Sequence, residues 1–238
     1  MAFESLPSTN LYVRERLPEL ANLSVVTARC QTAGRGQRGN VWVSAPGENL
    51  TFSVLLRFPE GELEARRQMR LTALATVAMR DCLRERYGID ARIKWPNDIY
   101  VHDRKICGML IENGLTGRWV THSILGIGLN VNQTAWDPAL LNPTSMHRIS
   151  GKDYDPDEVL GSFLHRLQAL LPSLQEDSLW QAYTADLYRL GERHAWSDAD
   201  GTRFFGTIKG VRKDGRLEIL CDDGRPRLFA FKEVGYIL

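Results

Sequence analysis

The sequence has no run of 18 consecutive apolar residues, and its first ten residues, "MAFESLPSTN", have no basic segment leading into an apolar one. Neither a membrane span nor a secretory leader is written there, so the expected compartment is the cytoplasm. Charge of one sign is also missing. Thirty basic residues face 29 acidic ones, for a formal net charge of +1, and no Lys/Arg run forms a basic tail. Bulk attraction to nucleic acid is therefore not expected. Cysteine is scarce: Cys30, Cys82, Cys107 and Cys221 lie far apart, with no C-x-x-C pair and no Cys/His ligand spacing. That argues against a disulfide framework or a zinc module and for reduced, mostly packed thiols. No internal repeat or low-complexity tract is visible. What is present, 238 residues with 43% hydrophobic and 25% charged side chains, suits a globular chain with one sizeable core and a small appendage.

Periodicity places the elements. Glu62 to Tyr87 reads as a long helix, with Leu71, Leu74, Ala75, Ala78, Cys82 and Leu83 at helical spacing and Gly88 placed to stop it. A second helix has Asp155 as cap, Pro156 in the first position and Glu158 completing a capping box ahead of an apolar set from Val159 to Leu171. Between them the period falls to two. "NLTFSVLLRF" puts Leu50, Phe52, Val54, Leu56 and Phe58 on one strand face, "RIKW", "DIYV", "KICGMLIE" and "HSILGIGLNVN" are further strands, and "VHDRKI" reads as a tight hairpin. After Gly191 short strands alternate with "DADG", "RKDGR" and "DDGRPR", the pattern of a small β-barrel. A boundary near Tyr188 to Gly191 divides a larger domain over 1–188 from a small one over 189–238.

"GRGQRG", Gly34 to Gly39, satisfies the letters of a dinucleotide fingerprint, but "NVWVSAPGEN" follows it, with Pro46 and Gly47 and no helical period. A pyrophosphate fingerprint needs a helix opening on its last glycine, so that reading fails, and no Gly-Lys-Ser/Thr makes it a P-loop. What remains is a flexible loop whose backbone N–H groups and whose Arg35 and Arg38 suit an anion. Trp95-Pro96-Asn97-Asp98 interrupts a strand with a proline and then offers an amide and a carboxylate, a composition suited to a turn at a binding site. Asn130 and Asn132 end an otherwise apolar strand.

In order, "STN" at Ser8 to Asn10, "QTAGRGQRGNVW" at Gln31 to Trp42, "KWPND" at Lys94 to Asp98, "KICGMLIE" at Lys105 to Glu112 and "GIGLN" at Gly126 to Asn130 resemble the motifs of the biotin protein ligases. The tail after Gly191 resembles that family's small C-terminal barrel less specifically. The resemblance implies an α+β fold in which a mixed, largely antiparallel sheet is flanked by helices, as in class II aminoacyl-tRNA synthetases and biotin–lipoate ligases, with a small SH3-like C-terminal β-barrel. It implies a chain that uses ATP and Mg2+ to make biotinyl-5'-AMP and passes biotin to a lysine of a biotin carboxyl carrier protein. Because "STN" lies so near the start, it also implies the monofunctional form, without the N-terminal DNA-binding domain of some relatives.

The chemistry brings two anions together, the acid's carboxylate and the α-phosphate, so positive donors held in place are required. Lys105 and Arg35 are the candidates. By resemblance, Ser8, Thr9, Asn10, Gln31, Gly34, Arg35, Lys105 and Gly108 serve biotin. Arg35, Gly36, Arg38, Gly39, Trp42, Lys94, Asn97 and Asn130 serve ATP and the adenylate, with Trp42 on the adenine. Asp98 is read as catalytic, either holding Mg2+ or orienting the acceptor lysine. The chain departs from the family pattern at Gln37, where an arginine is usual, and at Cys107, where glycine or alanine is common. Two alternatives stand beside this reading: a lipoate–protein ligase of the same superfamily, and a non-enzymatic RNA-binding or adaptor module using Lys209, Arg212, Lys213 and Arg216.

Overall fold

A computed structural model describes residues 1–237, apart from the side chain of Arg38. Seven strands form the main sheet: β1 (Ala2–Leu6), β2 (Val25–Gln31), β3 (Asn49–Arg57), β4 (Arg92–Lys94), β5 (Asp98–Val101), β6 (Arg104–Thr116) and β7 (Trp119–Asn130). Their order is β1-β2-β3-β7-β6-β5-β4, and β1–β2 is the parallel pair while the rest are antiparallel. The mixed, largely antiparallel sheet expected from the sequence is therefore present.

The sheet is covered on both faces, which explains why β3 is buried along almost its whole length rather than alternating. Leu50, Phe52, Val54 and Leu56 face the main core beneath α2 (Met69–Asp81), α4 (Pro156–Leu170) and α5 (Asp177–Ala185). Leu55 faces the other way. With Val26 and Ile124 it packs against Val13 of α1 (Thr9–Glu15) and Leu20 in a smaller cluster. Around that cluster the second face is polar and glycine-rich, and the functional cleft lies there.

The helix expected over Glu62 to Tyr87 is shorter. Helix α2 begins at Met69 and continues through one π-helical stretch, Cys82–Arg86, before Gly88 at φ +67° ends it. The stretch before Met69 is drawn out along the β6–β7 hairpin instead: Val120 N donates to Leu63 O at 2.8 Å and Ala65 N to Arg118 O at 2.8 Å. Tertiary pairing there outweighs helical propensity. The second helix starts as read, with the Asp155 carboxylate accepting from Asp157 N at 2.9 Å and Pro156 in the first turn. The "VHDRKI" hairpin turns on His102 and Asp103, with His102 at φ +51°. A short helix α3 (Met146–Ser150) follows the loop after β7.

The C-terminal region is an antiparallel sheet of β8 (Arg193–Asp198), β9 (Arg203–Val211), β10 (Leu217–Cys221), β11 (Pro226–Phe229) and β12 (Val234–Tyr236), in the order β11-β10-β9-β8-β12. Its two edges, β11 and β12, are not joined to each other, so the expected barrel is an open sheet. The main core runs on into it through Trp196, Ile208, Leu217 and Ile219. Trp95 Nε1 donates to Gly215 O at 2.9 Å across the junction. No helix among the described residues is long and apolar enough to cross a membrane.

Candidate active site

Strand register builds the floor of the cleft. Thr51, Ser53 and Leu55 of β3 lie opposite Gly128, Gly126 and Ile124 of β7, which in turn lie opposite Gly108, Leu110 and Glu112 of β6. Period two puts all nine on one face. Where Leu55 and Ile124 stand, the face is packed; where Gly126, Gly128 and Gly108 stand, it is bare. A Cβ on Gly126 would overlap the Asn10 carboxamide, one on Gly128 would overlap the Trp42 indole, and one on Gly108 would meet Lys105 Nζ at 3.0 Å and the Trp42 ring at 3.1 Å. The missing side chains leave a cleft of about 790 Å³ of empty space, solvent at its mouth included.

One wall is the start of α1 with the end of β2. Gln31 Oε1 accepts from Thr9 N at 2.8 Å and Thr9 Oγ1 at 3.2 Å. Ser53 Oγ donates to Asn10 Oδ1 at 2.6 Å and lies 2.8 Å from Thr9 Oγ1, while Asn10 Nδ2 donates to Glu112 Oε2 at 2.8 Å and Leu110 O at 3.2 Å. Ser8, Thr9 and Asn10 are thus buried polar groups at the edge of an apolar cluster, held so that a rigid patch of donors and acceptors faces the cleft. The second wall is the glycine loop. Arg35 and Val41 bridge across it, Gly36 N donates to Asn40 O at 2.7 Å, and Trp42 N to Gly34 O at 3.0 Å. Gly34 has no room for a side chain beside the Trp42 carbonyl, and Gly39 takes φ +87°. Val41 is 68% exposed, so this loop stands over the cleft without packing onto a core.

The third wall is the β5–β6 hairpin. Lys105 Nζ lies 2.7 Å from Asp98 Oδ1 and 5.9 Å from the Trp42 ring centre. Asn97 Nδ2 donates to Met109 O, fixing the "WPND" turn, whose Trp95–Pro96 bond is cis, to the strand beside it. Lys94 lies over the rings of Tyr100 and Tyr236, and burial pushes its ammonium below the ordinary lysine range. Arg35 Nη1 is 3.7 Å from Glu112 Oε1 on the far side.

Of the residues singled out from sequence, Ser8, Thr9, Asn10, Gln31, Arg35, Gly36, Trp42, Lys94, Asn97, Asp98, Lys105 and Gly108 line this one cleft. Gly34 and Gly39 shape the loop instead. Asn130 lies apart: its Nδ2 donates to Thr144 O at 2.8 Å and ties the end of β7 to the following loop. The side chain of Arg38 lies outside the described residues. Among the described residues Asp98 is the lone carboxylate lining the cleft, and no group of three His, Cys, Asp or Glu side chains is placed to hold a metal ion. Of the four cations of the C-terminal region singled out from sequence, three are ion-paired: Arg212 with Glu218, Lys213 with Asp177 and Arg216 with Asp214.

Sequence reasoning did not single out Gly126, Gly128, Ser53, Glu112 or Tyr236. The first two sit inside "GIGLN", and Thr51 and Ser53 were visible as polar residues alternating with the apolar face of β3. Nothing in the sequence signalled Tyr236, because its place depends on how the C-terminal sheet docks.

The sheet, its helices and the glycine-floored cleft define the catalytic fold of biotin and lipoate ligases. The chain belongs to the biotin/lipoate A/B protein ligase family, whose model matches residues 2–130. It is 35% identical over 227 residues to the biotin–[acetyl-CoA-carboxylase] ligase of Paracoccus denitrificans, covering 92% of each chain. It is 29% identical over 223 residues to the bifunctional ligase/repressor BirA of Escherichia coli (strain K12), covering 92% of this chain and 68% of that one. The structure of the biotin protein ligase from Aquifex aeolicus in complex with biotin and ATP matches with a TM-score of 0.81 at 28% identity, over 99% of this chain and 97% of that one.

Proposed function

We propose that the protein is an ATP-dependent biotin–protein ligase: it activates biotin as biotinyl-5'-AMP and transfers it to a lysine of a biotin carboxyl carrier protein. The observation that carries this reading is a single cleft in which two cations, Lys105 and Arg35, flank a floor kept bare by Gly108, Gly126 and Gly128.

In the first step the biotin carboxylate attacks the α-phosphate and pyrophosphate leaves. Lys105 offsets the repulsion between the two anions, while the polar patch of Thr9, Asn10 and Gln31 orients the ureido ring and Gly108 lets the acid's tail approach the backbone. Trp42 gives adenine a ring face, and Lys94, which lines the same cleft, serves the phosphates. The substrate is the magnesium complex of ATP. A single cleft carboxylate, Asp98, suits an ion that takes its other ligands from phosphates and water. Asp98 also fixes the Lys105 ammonium through their ion pair, and we assign its role to that contact. In the second step the acceptor amine attacks the carbonyl of the mixed anhydride and AMP departs. The Arg35–Asn40 loop is the lid that keeps water from the anhydride in between.

The test is direct. The purified protein, a carrier domain, biotin and MgATP are combined, and the carrier is mapped by mass spectrometry. Modification of one lysine, dependent on biotin and ATP, is expected. A carrier left unmodified while a lipoyl carrier is acylated from lipoate would overturn the reading.

A further inference from the structure

Lys94 has an unusual setting for a cation in a binding cleft. Its Nζ lies 4.9 Å from the centre of the Tyr100 ring and 4.5 Å from that of Tyr236. Neither an ion pair nor a side-chain hydrogen bond ties it to any described residue. Ring faces attract an ammonium through their quadrupole without using its N–H groups. All three donors therefore remain for whatever enters the cleft, which Lys94 lines.

The second ring comes from the far end of the chain. Tyr236 sits on β12, opposite Trp196 of β8, and the two rings pack edge to face at 4.7 Å. Tyr188 lies against both rings, 5.9 Å from Tyr236 and 5.2 Å from Tyr100, and closes the group. The Tyr236 hydroxyl is buried and has no partner among the described residues. What Tyr236 offers Lys94 is its ring face, not its oxygen.

We propose that Tyr236 is a positioning residue for the nucleotide. Together with Tyr100 it holds the Lys94 ammonium in the cleft, so that the C-terminal sheet completes the phosphate-binding part of the site. This rests on the proposed ligase reading and adds to it a residue and a region outside the stretch that matches the family model. The ligand chemistry is a polyphosphate: a half-buried ammonium whose N–H groups are taken by no carboxylate, the nearby Asp98 being ion-paired with Lys105 instead, favours an anion that accepts several hydrogen bonds at once. The reacting carboxylate is served instead by Lys105, which already has Asp98 beside it.

The experiment replaces Tyr236 with phenylalanine, with leucine, and with a series of progressively fluorinated phenylalanines, in the full chain. Biotin-dependent pyrophosphate–ATP exchange is measured with separate titrations of ATP and biotin. Fluorination drains the ring face at nearly constant shape, so the series remains informative even where leucine disturbs folding. Phenylalanine is expected to stay near the parent. KM for ATP should then climb with each fluorine, reaching about tenfold in the most fluorinated ring and in leucine, while KM for biotin stays within about twofold. With Lys94→Met in the same chain, fluorination should no longer matter. An active parent whose KM for ATP is flat across the series, or rises equally for biotin, would overturn the positioning role. A parent that catalyses no exchange with biotin would instead refute the ligase reading.

Discussion

Lys105 and Asp98 face each other from the two strands of a hairpin that turns on two residues, with Nζ 2.7 Å from Oδ1. The tight turn holds both backbones, and Lys105 N and O are bonded in addition to the loop that follows β7, at Asn142 O and Thr144 N, each at 2.9 Å. The backbone that carries Lys105 is thus rigidly framed, and the Asp98 carboxylate fixes the far end of its stem. Preorganisation of this kind lets a charge act on a developing transition state without first being ordered.

Lys105→Ala should therefore abolish adenylate formation while leaving the fold intact. Its side chain lies at the cleft, not in a core, so the circular dichroism spectrum and melting temperature should stay close to those of the parent. Exchange between pyrophosphate and ATP should fall by about 10²–10³ or more, the usual effect of losing one preorganised donor. Near-normal biotin-dependent exchange in a folded Lys105→Ala protein would remove this residue from the chemistry.

The bare floor makes a second prediction. Gly128→Ala introduces a methyl group where the Trp42 indole lies. An extended strand accepts alanine, so the sheet should survive with a melting temperature within a few degrees, but the indole must move. Stacking of a base on an aromatic ring is worth about 1–3 kcal/mol, so KM for ATP should rise by roughly tenfold or more. An unchanged KM for ATP would show that Trp42 does not carry the adenine.

How far the sequence foretold this site depends on the kind of signal. Ser8, Gln31, Lys94, Asp98 and Lys105 stood in short motifs, and the structure gathers them along one cleft. The hairpin turning on His102 and the cap at Asp155 were equally visible, because both are local. The errors came from long-range pairing. The first turns of the expected helix at Glu62 were lost to hydrogen bonds with the β6–β7 hairpin. Asn130 is a different case: it ends a strand as a ligand-binding residue would, and its Nδ2 donates to Thr144 O away from the residues that line the cleft. The small C-terminal β-unit was anticipated from short strands, turn segments and the family resemblance, none of which reveals whether the sheet edges meet. Tyr236 meets Lys94 only through sheet docking, and no spacing rule could have announced it.

Gln37, where the sequence resemblance leads one to expect an arginine, lines the cleft from within the glycine-rich loop. Gln37→Arg should add a cation over the adenylate's phosphate and slow its escape. Pre-formed biotinyl-adenylate, trapped on the protein and separated by rapid filtration, should dissociate several-fold more slowly from the variant. An equal rate would mean that the two arginines already in this loop suffice.

The four thiols should react very unequally. Burial pushes Cys82 up to about 12 and Cys107 further, and Cys221 is raised as well by the same cause. Cys30 is the half-buried one. The thiolate is the reactive form, and each unit of upward shift cuts its population about tenfold. Alkylation of the native protein at pH 8, followed by peptide mapping, should therefore find Cys30 first and Cys82 and Cys107 only after unfolding. Early labelling of Cys107 would contradict the packed strand it occupies.

The central claim is that this cleft activates one acid, biotin, as its adenylate. Pyrophosphate–ATP exchange by the purified protein, with biotin, lipoate and octanoate compared at equal concentration in the presence of MgATP, tests it most directly. The account predicts exchange with biotin and none above background with the other two; exchange with lipoate in place of biotin, or with no acid at all, would contradict it.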